Sequence, residues 1–383
     1  MFRFGPASTP PQVWAVEDTS VQLVWGDLPP GSVVARAGNR EVAIDHLGGP
    51  GAVDLDGLQP ASDVTIELMS GAGVALLGTR TLPSPPGELL GRFATISDLH
   101  LGARRWGAFK SMMDHSGDPV PNPFRCASAA IDEAVAWGAE ALVIKGDAAQ
   151  HEATADFDAV GQLVDQFPDL PMLLVPGNHD VDGQGEGSIP LTVGNRELRY
   201  TRTVDHIDLP GIRVMAADTT IVGQGNGSLV RSEGPILDAV ADADQPVFLG
   251  LHHQLQTTRI PRHWPVGVGG AESARFINRL HRMAHPVAIS SGHTHRNRSR
   301  VDGNLLITEV ASTKDWPCVW AGYAVHEGGI RQVIRRIAAR GAITWAEYSR
   351  GAVGGLWGLW SPGPLGQRCV SHVWAHAPSL VDS

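Results

Sequence analysis

The chain has 383 residues, 43% hydrophobic and 18% charged, with a formal net charge of −10. That length is enough for two or three domains with full cores, and the acidic balance argues against a general nucleic-acid binder, because phosphate backbones are gripped by Lys and Arg. The three cysteines, Cys126, Cys318 and Cys369, are far apart and form no Cys-x-x-Cys, so they read as free thiols in a reducing compartment rather than a disulfide framework.

Met1 to Val16 shows no basic segment followed by an apolar run, and no stretch reaches the length of a membrane span. A cytoplasmic protein with no membrane partner is expected. Residues 1–82 read as β. Val21, Leu23 and Trp25 alternate in one run, Val42 and Ile44 in a shorter one, and Val64, Ile66 and Leu68 in a third. Period two is the mark of half-buried strands. Turn signals at Leu28-Pro29-Pro30-Gly31 and Gly48-Gly49-Pro50-Gly51 separate the runs. The spacing predicts a small all-β sandwich domain over residues 1–86. It closes on Leu82-Pro83-Ser84-Pro85-Pro86-Gly87, a linker whose prolines break helix and central strand alike.

From about Arg92 apolar runs alternate with helical stretches. The runs are Phe93–Ser97, Leu142–Lys145, Met172–Val175, Ile212–Ala217, Val247–Leu251, Val287–Ser290, Leu305–Val310 and Tyr323–His326. The helical stretches are Ala127–Trp137, Ala155–Phe167, Pro235–Ala243 and Ala271–Met283. Such alternation predicts α/β layers with a largely buried sheet over residues 87–338. The remaining segment, 339–383, holds four of the eleven tryptophans (Trp345, Trp357, Trp360, Trp374) and a glycine-rich stretch from Gly351 to Gly366. It is expected to pack on the α/β region with its tryptophans as anchors. A second reading has them line a substrate entrance or an oligomer contact. The sequence specifies no oligomeric state.

Chemistry concentrates in five short motifs, each just after a predicted strand: Asp98-Leu99-His100, Gly146-Asp147, Gly177-Asn178-His179-Asp180, Leu251-His252-His253 and Gly292-His293-Thr294-His295. Taken singly each has an ordinary explanation as surface, turn or core. Together they fall where α/β sheets place ligands, beyond the carboxyl ends of strands. In an extended chain residues i and i+2 point the same way, so Asp98 and His100 are expected to share one metal, and His293 and His295 to repeat the geometry. Mixed imidazole, carboxylate and amide donors suit Mn, Fe or Zn better than Ca.

Residues 92–338 resemble the calcineurin-like metallophosphoesterases. Ile96-Ser97-Asp98-Leu99-His100-Leu101-Gly102 looks like the first motif of that family, and Ser291-Gly292-His293-Thr294-His295-Arg296-Asn297 like its last. Order and spacing most resemble the cyclic-nucleotide phosphodiesterase-like branch. The resemblance implies a four-layer αββα sandwich with two divalent or trivalent metal ions at the sheet ends. The first metal would take Asp98, His100, Asp147 and His295, and the second Asp147, Asn178, His252 and His293, with Asp147 bridging. His179 would act on the leaving group or the phosphoryl oxygen, with Asp180 orienting its ring. His253 would stand behind the ligands or on the substrate side. The N-terminal strands resemble a fibronectin type III module. Purple acid phosphatases also carry a sandwich before this fold, but Gln150 stands where they have a tyrosine ligand, so no purple ferric site is expected.

The expected function is hydrolysis of a small phosphodiester, such as a cyclic nucleotide, by a metal-bridging hydroxide. Alternatives on the same site are a phosphomonoesterase or a nuclease. From another class, the chain would be a partner-binding protein with a vestigial metal site. Substrate recognition is assigned to the loops holding Arg104, Arg105, Arg196, Arg199, Arg259, Arg262, His263 and Trp264.

Overall fold

The computed structural model describes residues 8–106, 112–114, 119–183, 200–256, 258 and 264–374. Arg196, Arg199, Arg259, Arg262 and His263 lie outside them. Seven strands come first: β1 (Gln12–Val16), β2 (Ser20–Leu28), β3 (Gly31–Ala37), β4 (Arg40–His46), β5 (Gly49–Asp56), β6 (Asp63–Ser70) and β7 (Gly73–Arg80). They form two antiparallel sheets, β1-β2-β5 and β4-β3-β6-β7. Leu23, Trp25, Val33, Ala35, Ile66 and Leu68 are buried in the common core, so the region is all-β as expected.

The alternation expected of β2 is not what the fold uses. Ser20 through Gly26 are all buried. The second face of β2 lies on the rest of the chain, where Gln22 Nε2 donates to the Arg336 carbonyl (2.9 Å) and Arg336 N donates back to Gln22 Oε1 (2.9 Å).

The α/β region opens with β8 (Leu89–Ile96), the short hairpin β9 (Arg105–Trp106) and β10 (Met112–Met113), and α1 (Asn122–Trp137). It continues through β11 (Leu142–Lys145), α2 (Thr154–Asp165), β12 (Met172–Val175), β13 (Val204–Leu209), β14 (Ile212–Ala217) and α3 (Glu233–Ala241). Then come β15 (Val247–Leu251), α4 (Gly270–Leu280), β16 (Val287–Ser291), β17 (Arg298–Asp302), β18 (Leu305–Glu309), β19 (Val319–His326) and β20 (Gly329–Arg336). Last are α5 (Arg340–Ser349), α6 (Leu356–Trp360), α7 (Leu365–Arg368) and β21 (Cys369–Val373).

Two six-stranded sheets result, β12-β11-β8-β19-β20-β21 and β13-β14-β15-β16-β18-β17. They meet through Phe93 and Tyr323 of the first, stacked at 4.9 Å, and Phe248 of the second, 4.8 Å from each. Helix α1 lays Ala127, Ala130, Ile131 and Ala134 toward the first sheet, and α2 buries Val160, Leu163 and Val164 beside it. Helices α3 and α4 cover the second sheet with Ile236, Leu237, Val240, Phe276, Ile277 and Leu280. The order is helix, sheet, sheet, helix, the sandwich expected. The carboxyl ends of β8, β11, β12, β15 and β16 feed the five motif loops. Among the described residues no helix is long and apolar enough to cross a membrane, and all three cysteines are buried and free.

β20 reads poorly in sequence because it carries Arg331, Arg335 and Arg336, yet all eight of its residues are buried. Burying a guanidinium is costly unless it is paired. Glu17 supplies the pair for Arg331 (2.8 Å) and Arg335 (3.0 Å), Asp54 also meets Arg335, and Glu347 meets Arg336 (2.7 Å). Glu17 and Asp54 come from the N-terminal strands, so the two regions are locked by charge across their contact. Trp345 and Trp374 of the last segment are buried; Trp357 instead lines the cavity over the motif loops.

Candidate metal centre

All seven expected ligands converge on one cluster, in two groups that share Asp147. In the first, His100 Nε2 is 3.4 Å from His295 Nε2, which is 3.4 Å from Asp98 Oδ1. Asp147 Oδ2 is 3.6 Å from His100 Nε2. In the second, His252 Nε2 is 3.4 Å from Asp147 Oδ1, 3.1 Å from Asn178 Oδ1 and 3.2 Å from His293 Nδ1. A cation about 2.0–2.2 Å from each donor sets neighbouring donors about 2.8–3.6 Å apart, the spacing found in both groups. The donor set fits two borderline cations.

The backbone that aims these donors is unusual. Asp98 (φ 55°), His100 (φ 45°), Asp147 (φ 49°), His293 (φ 68°) and His295 (φ 49°) all sit in the left-handed region. Non-glycine residues rarely adopt it, and each such residue costs about 1–3 kcal/mol unless the surroundings enforce it. This corrects the extended-chain argument for the Asp-x-His and His-x-His pairs. Asp98 and His100 lie past the end of β8, and left-handed turns rather than a strand pleat bring them together.

Neighbouring groups hold the donors. Ser97 Oγ donates to Asp98 Oδ2 and the His293 amide to both Asp98 oxygens (3.1 Å each). His252 Nδ1 donates to the Lys145 carbonyl (2.9 Å), which fixes the tautomer that presents Nε2. The His179 amide donates to Asp147 Oδ1 (2.9 Å). Gly146 and Gly292 permit this crowding: a Cβ on the first would stand 2.4 Å from His252 Nδ1, and on the second 1.8 Å from Ser97 Oγ.

The electrostatics follow from burial set against close opposite charge. Burial opposes ionisation of Asp98 and Asp147, yet facing imidazoles hold both carboxyls below their usual range. Burial likewise depresses imidazolium, but Asp147 raises His252 to about 9 and Asp98 raises His295 to about 9. Burial, with charge on His252, pushes His293 down to about 3. Metal uptake at such a site exchanges protons for cations.

One expected role changes and another is narrowed to one of its two alternatives. Asp180 does not orient His179. It is fully buried and accepts from the amides of Gly177 (2.7 Å), Ala149 (2.8 Å) and Ala148 (3.3 Å) and from Tyr200 Oη (3.3 Å). It therefore staples the loop after β12 to the loop after β11. Burial and the nearby Asp147 charge push its carboxyl up to about 7. The His179 ring is held instead by the Gln150 carbonyl, which accepts from Nδ1 at 2.9 Å and leaves Nε2 for the cavity. His253 is not on the substrate side. It is fully buried, with Nδ1 2.8 Å from Thr219 Oγ1 and its ring against His293 at 4.6 Å.

A cavity of about 910 Å³ opens over the cluster. His100, Asp147, Asn178, His179, His293 and His295 line its floor, and of the recognition candidates Arg105 and Trp264 border it. Sequence reasoning missed Lys314 and Asp315, both buried and both in the lining. Lys314 Nζ is 2.5 Å from Asp315 Oδ2, and Asp315 Oδ1 is 3.6 Å from His295 Nδ1. No motif announces them; the scarcity of lysine, three in the whole chain, is the one available signal.

The model of the family described as calcineurin-like phosphoesterase matches residues 91–297, more than half of the chain. The protein belongs to that family, whose members are phosphoric ester hydrolases that typically bind two metals. Among solved structures it is similar to PhoD, at 12% identity over 86% of this chain and 85% of that one, with a TM-score of 0.42. It is also similar to the purple acid phosphatase PPD1 of yellow lupin seeds, at 12% identity over 86% and 72% and a TM-score of 0.44. A third is a dimetal phosphatase from Danio rerio, at 11% identity over 65% and 97% and a TM-score of 0.49. No curated protein matches the chain.

Proposed function

We propose that the protein is a phosphodiesterase acting on a cyclic nucleotide or another small phosphodiester at two cations, Mn, Fe or Zn. Asp98, His100 and His295 would hold one cation, Asn178, His252 and His293 the other, and Asp147 both. The observation that carries this reading is the placement of Asp147, whose two oxygens each face the imidazole of a different donor group, His100 on one side and His252 on the other. When bound, such a pair of cations lowers the pKa of water toward neutrality and neutralises charge on the phosphoryl oxygens.

The chain's own residues do the rest. His179, fixed through Nδ1 by Gln150, offers Nε2 to the leaving oxygen or a phosphoryl oxygen. Lys314 adds a cation to the cavity wall, and Asp315 fixes the His295 ring from behind. The cavity has room for an ester group on each side of phosphorus. Arg105 at the cavity border also suits the extra charge of a monoester, which keeps phosphomonoesterase as the second reading. The proposed organisation is residues 1–86 as a fibronectin III-like sandwich, 87–338 as the catalytic domain and 339–383 as a segment packed on it, in a cytoplasmic protein.

The test is hydrolysis by metal-stripped and Mn²⁺-reloaded protein of bis(p-nitrophenyl) phosphate, p-nitrophenyl phosphate and cyclic AMP. Metal-dependent turnover favouring the diesters supports the reading. Turnover of the monoester alone replaces it with the second.

A further inference from the structure

We infer that the cavity contains a binding subsite for a flat aromatic group of the substrate, formed by Trp264 and Trp357. The inference rests on the reading that the phosphate sits at the metal centre. The cavity, about 910 Å³, falls at the upper end of the range that holds drug-sized ligands, about 300–1,000 Å³. A phosphoryl group alone would leave most of it empty. Besides its polar residues the lining carries an apolar set: Trp264, Pro265 and Val266 from the loop before α4, and Ala352, Val353 and Trp357 around the start of α6.

The two apolar segments abut different histidines of the His293-x-His295 pair. Val266, two residues after Trp264, places its carbonyl 3.3 Å from His293 Nε2. The Trp357 ring meets His295 edge-on at 5.9 Å. Trp357 is further fixed by its Nε1, which donates to the Trp316 carbonyl (3.0 Å), and by Trp360 packed at 5.5 Å. Trp264 is the contrast, 81% exposed at the cavity edge. Its ring is therefore open to a ligand in the cavity. The backbone is also bent to build this wall. Val353, β-branched and lining the cavity, has φ 52°, an outlier for its type.

Rings recognise flat partners through stacking, which tolerates the partner's hydrogen-bonding pattern. The chemical class is therefore a phosphate ester of an aryl alcohol or a nucleoside, rather than of a short alkyl or polyol alcohol. Trp357 lies beyond residue 297, where the family match ends, so half of the subsite belongs to this chain's own C-terminal segment.

The experiment compares phenylphosphonate with methylphosphonate, two non-hydrolysable anions sharing one head group, by calorimetry on Mn²⁺-loaded protein. Alongside it, phenyl and methyl p-nitrophenyl phosphate, with one leaving group in common, are compared in kcat/KM. The subsite predicts phenyl favoured about tenfold in binding. Trp264→Ala should shrink that gap to about threefold or less, and Trp264→Phe should keep most of it. Equal binding of the two phosphonates, or a gap unmoved by Trp264→Ala, overturns the subsite even where both diesters are turned over. A phenyl preference lost in Trp264→Ala, with neither diester hydrolysed, supports the subsite and instead removes the phosphodiesterase reading.

Discussion

Asp315 stands behind His295: its Oδ1 lies 3.6 Å from the ring's Nδ1, while the ring's Nε2 points to Asp98 Oδ1 at 3.4 Å. The arrangement is that of a carboxylate fixing an imidazole for a cation on its far side, and such partners typically matter about 10–100-fold to metal affinity. Asp315→Asn should weaken the first metal by that order while leaving the second, measured by competitive chelator titration with elemental analysis. An unchanged affinity would reduce Asp315 to the partner of Lys314.

Asp147 and His179 touch through the His179 amide, yet their side chains should behave differently. Asp147→Asn removes the charge shared by both donor groups, so metal occupancy should fall with turnover. His179→Ala keeps the amide and should retain both metals while kcat falls about 10²–10⁴-fold. Loss of metal in His179→Ala with full turnover per metal would make His179 a ligand.

Gly292 tests the crowding. A Cβ there would stand 1.8 Å from Ser97 Oγ and 2.7 Å from Asp98 Oδ2, so Gly292→Ala must displace the group that holds Asp98. Metal content should drop with no comparable loss of global stability in urea. Retention of full metal content would show that the loop relaxes freely.

Glu17 joins the sandwich to the catalytic sheet through Arg331, Arg335 and Trp137 Nε1 (3.1 Å). Removing one partner of a buried ion pair costs about 3–5 kcal/mol when it strands the other, but here Arg331 keeps Asp18 and Arg335 keeps Asp54. Glu17→Ala should therefore lower unfolding stability by less than that amount in urea titration, yet by more than the loss of an exposed pair would.

Much of the catalytic fold was legible because its strands are simple. β11, β12, β14 and β15 begin and end at the residues the apolar runs marked, since a strand buried on both faces reads as an unbroken apolar run. β20 was hidden for the opposite reason: its arginines are neutralised by Glu17 and Asp54, remote in the chain, and by Glu347 of α5. β13 and β17, each antiparallel at an edge of the second sheet, carry too few buried residues to leave a pattern.

For the site, the five short motifs marked donor types and order. They could not show the left-handed backbone at Asp98, His100, Asp147, His293 and His295, which packing imposes. Asp180 misled because sequence adjacency to His179 suggested contact, whereas its carboxyl accepts from amides of Gly177 in its own loop and Ala149 in the loop after β11. Asp315 and Trp357 join the site only through folding of segments far from any motif.

The most direct measurement is anomalous diffraction at the manganese edge from crystals of the Mn²⁺-loaded protein. Two peaks roughly 3.5–4 Å apart, one beside His100 and His295, the other beside Asn178 and His252, with Asp147 between them, are predicted. A single peak, or peaks remote from Asp147, would contradict the dinuclear centre and the hydrolysis built on it.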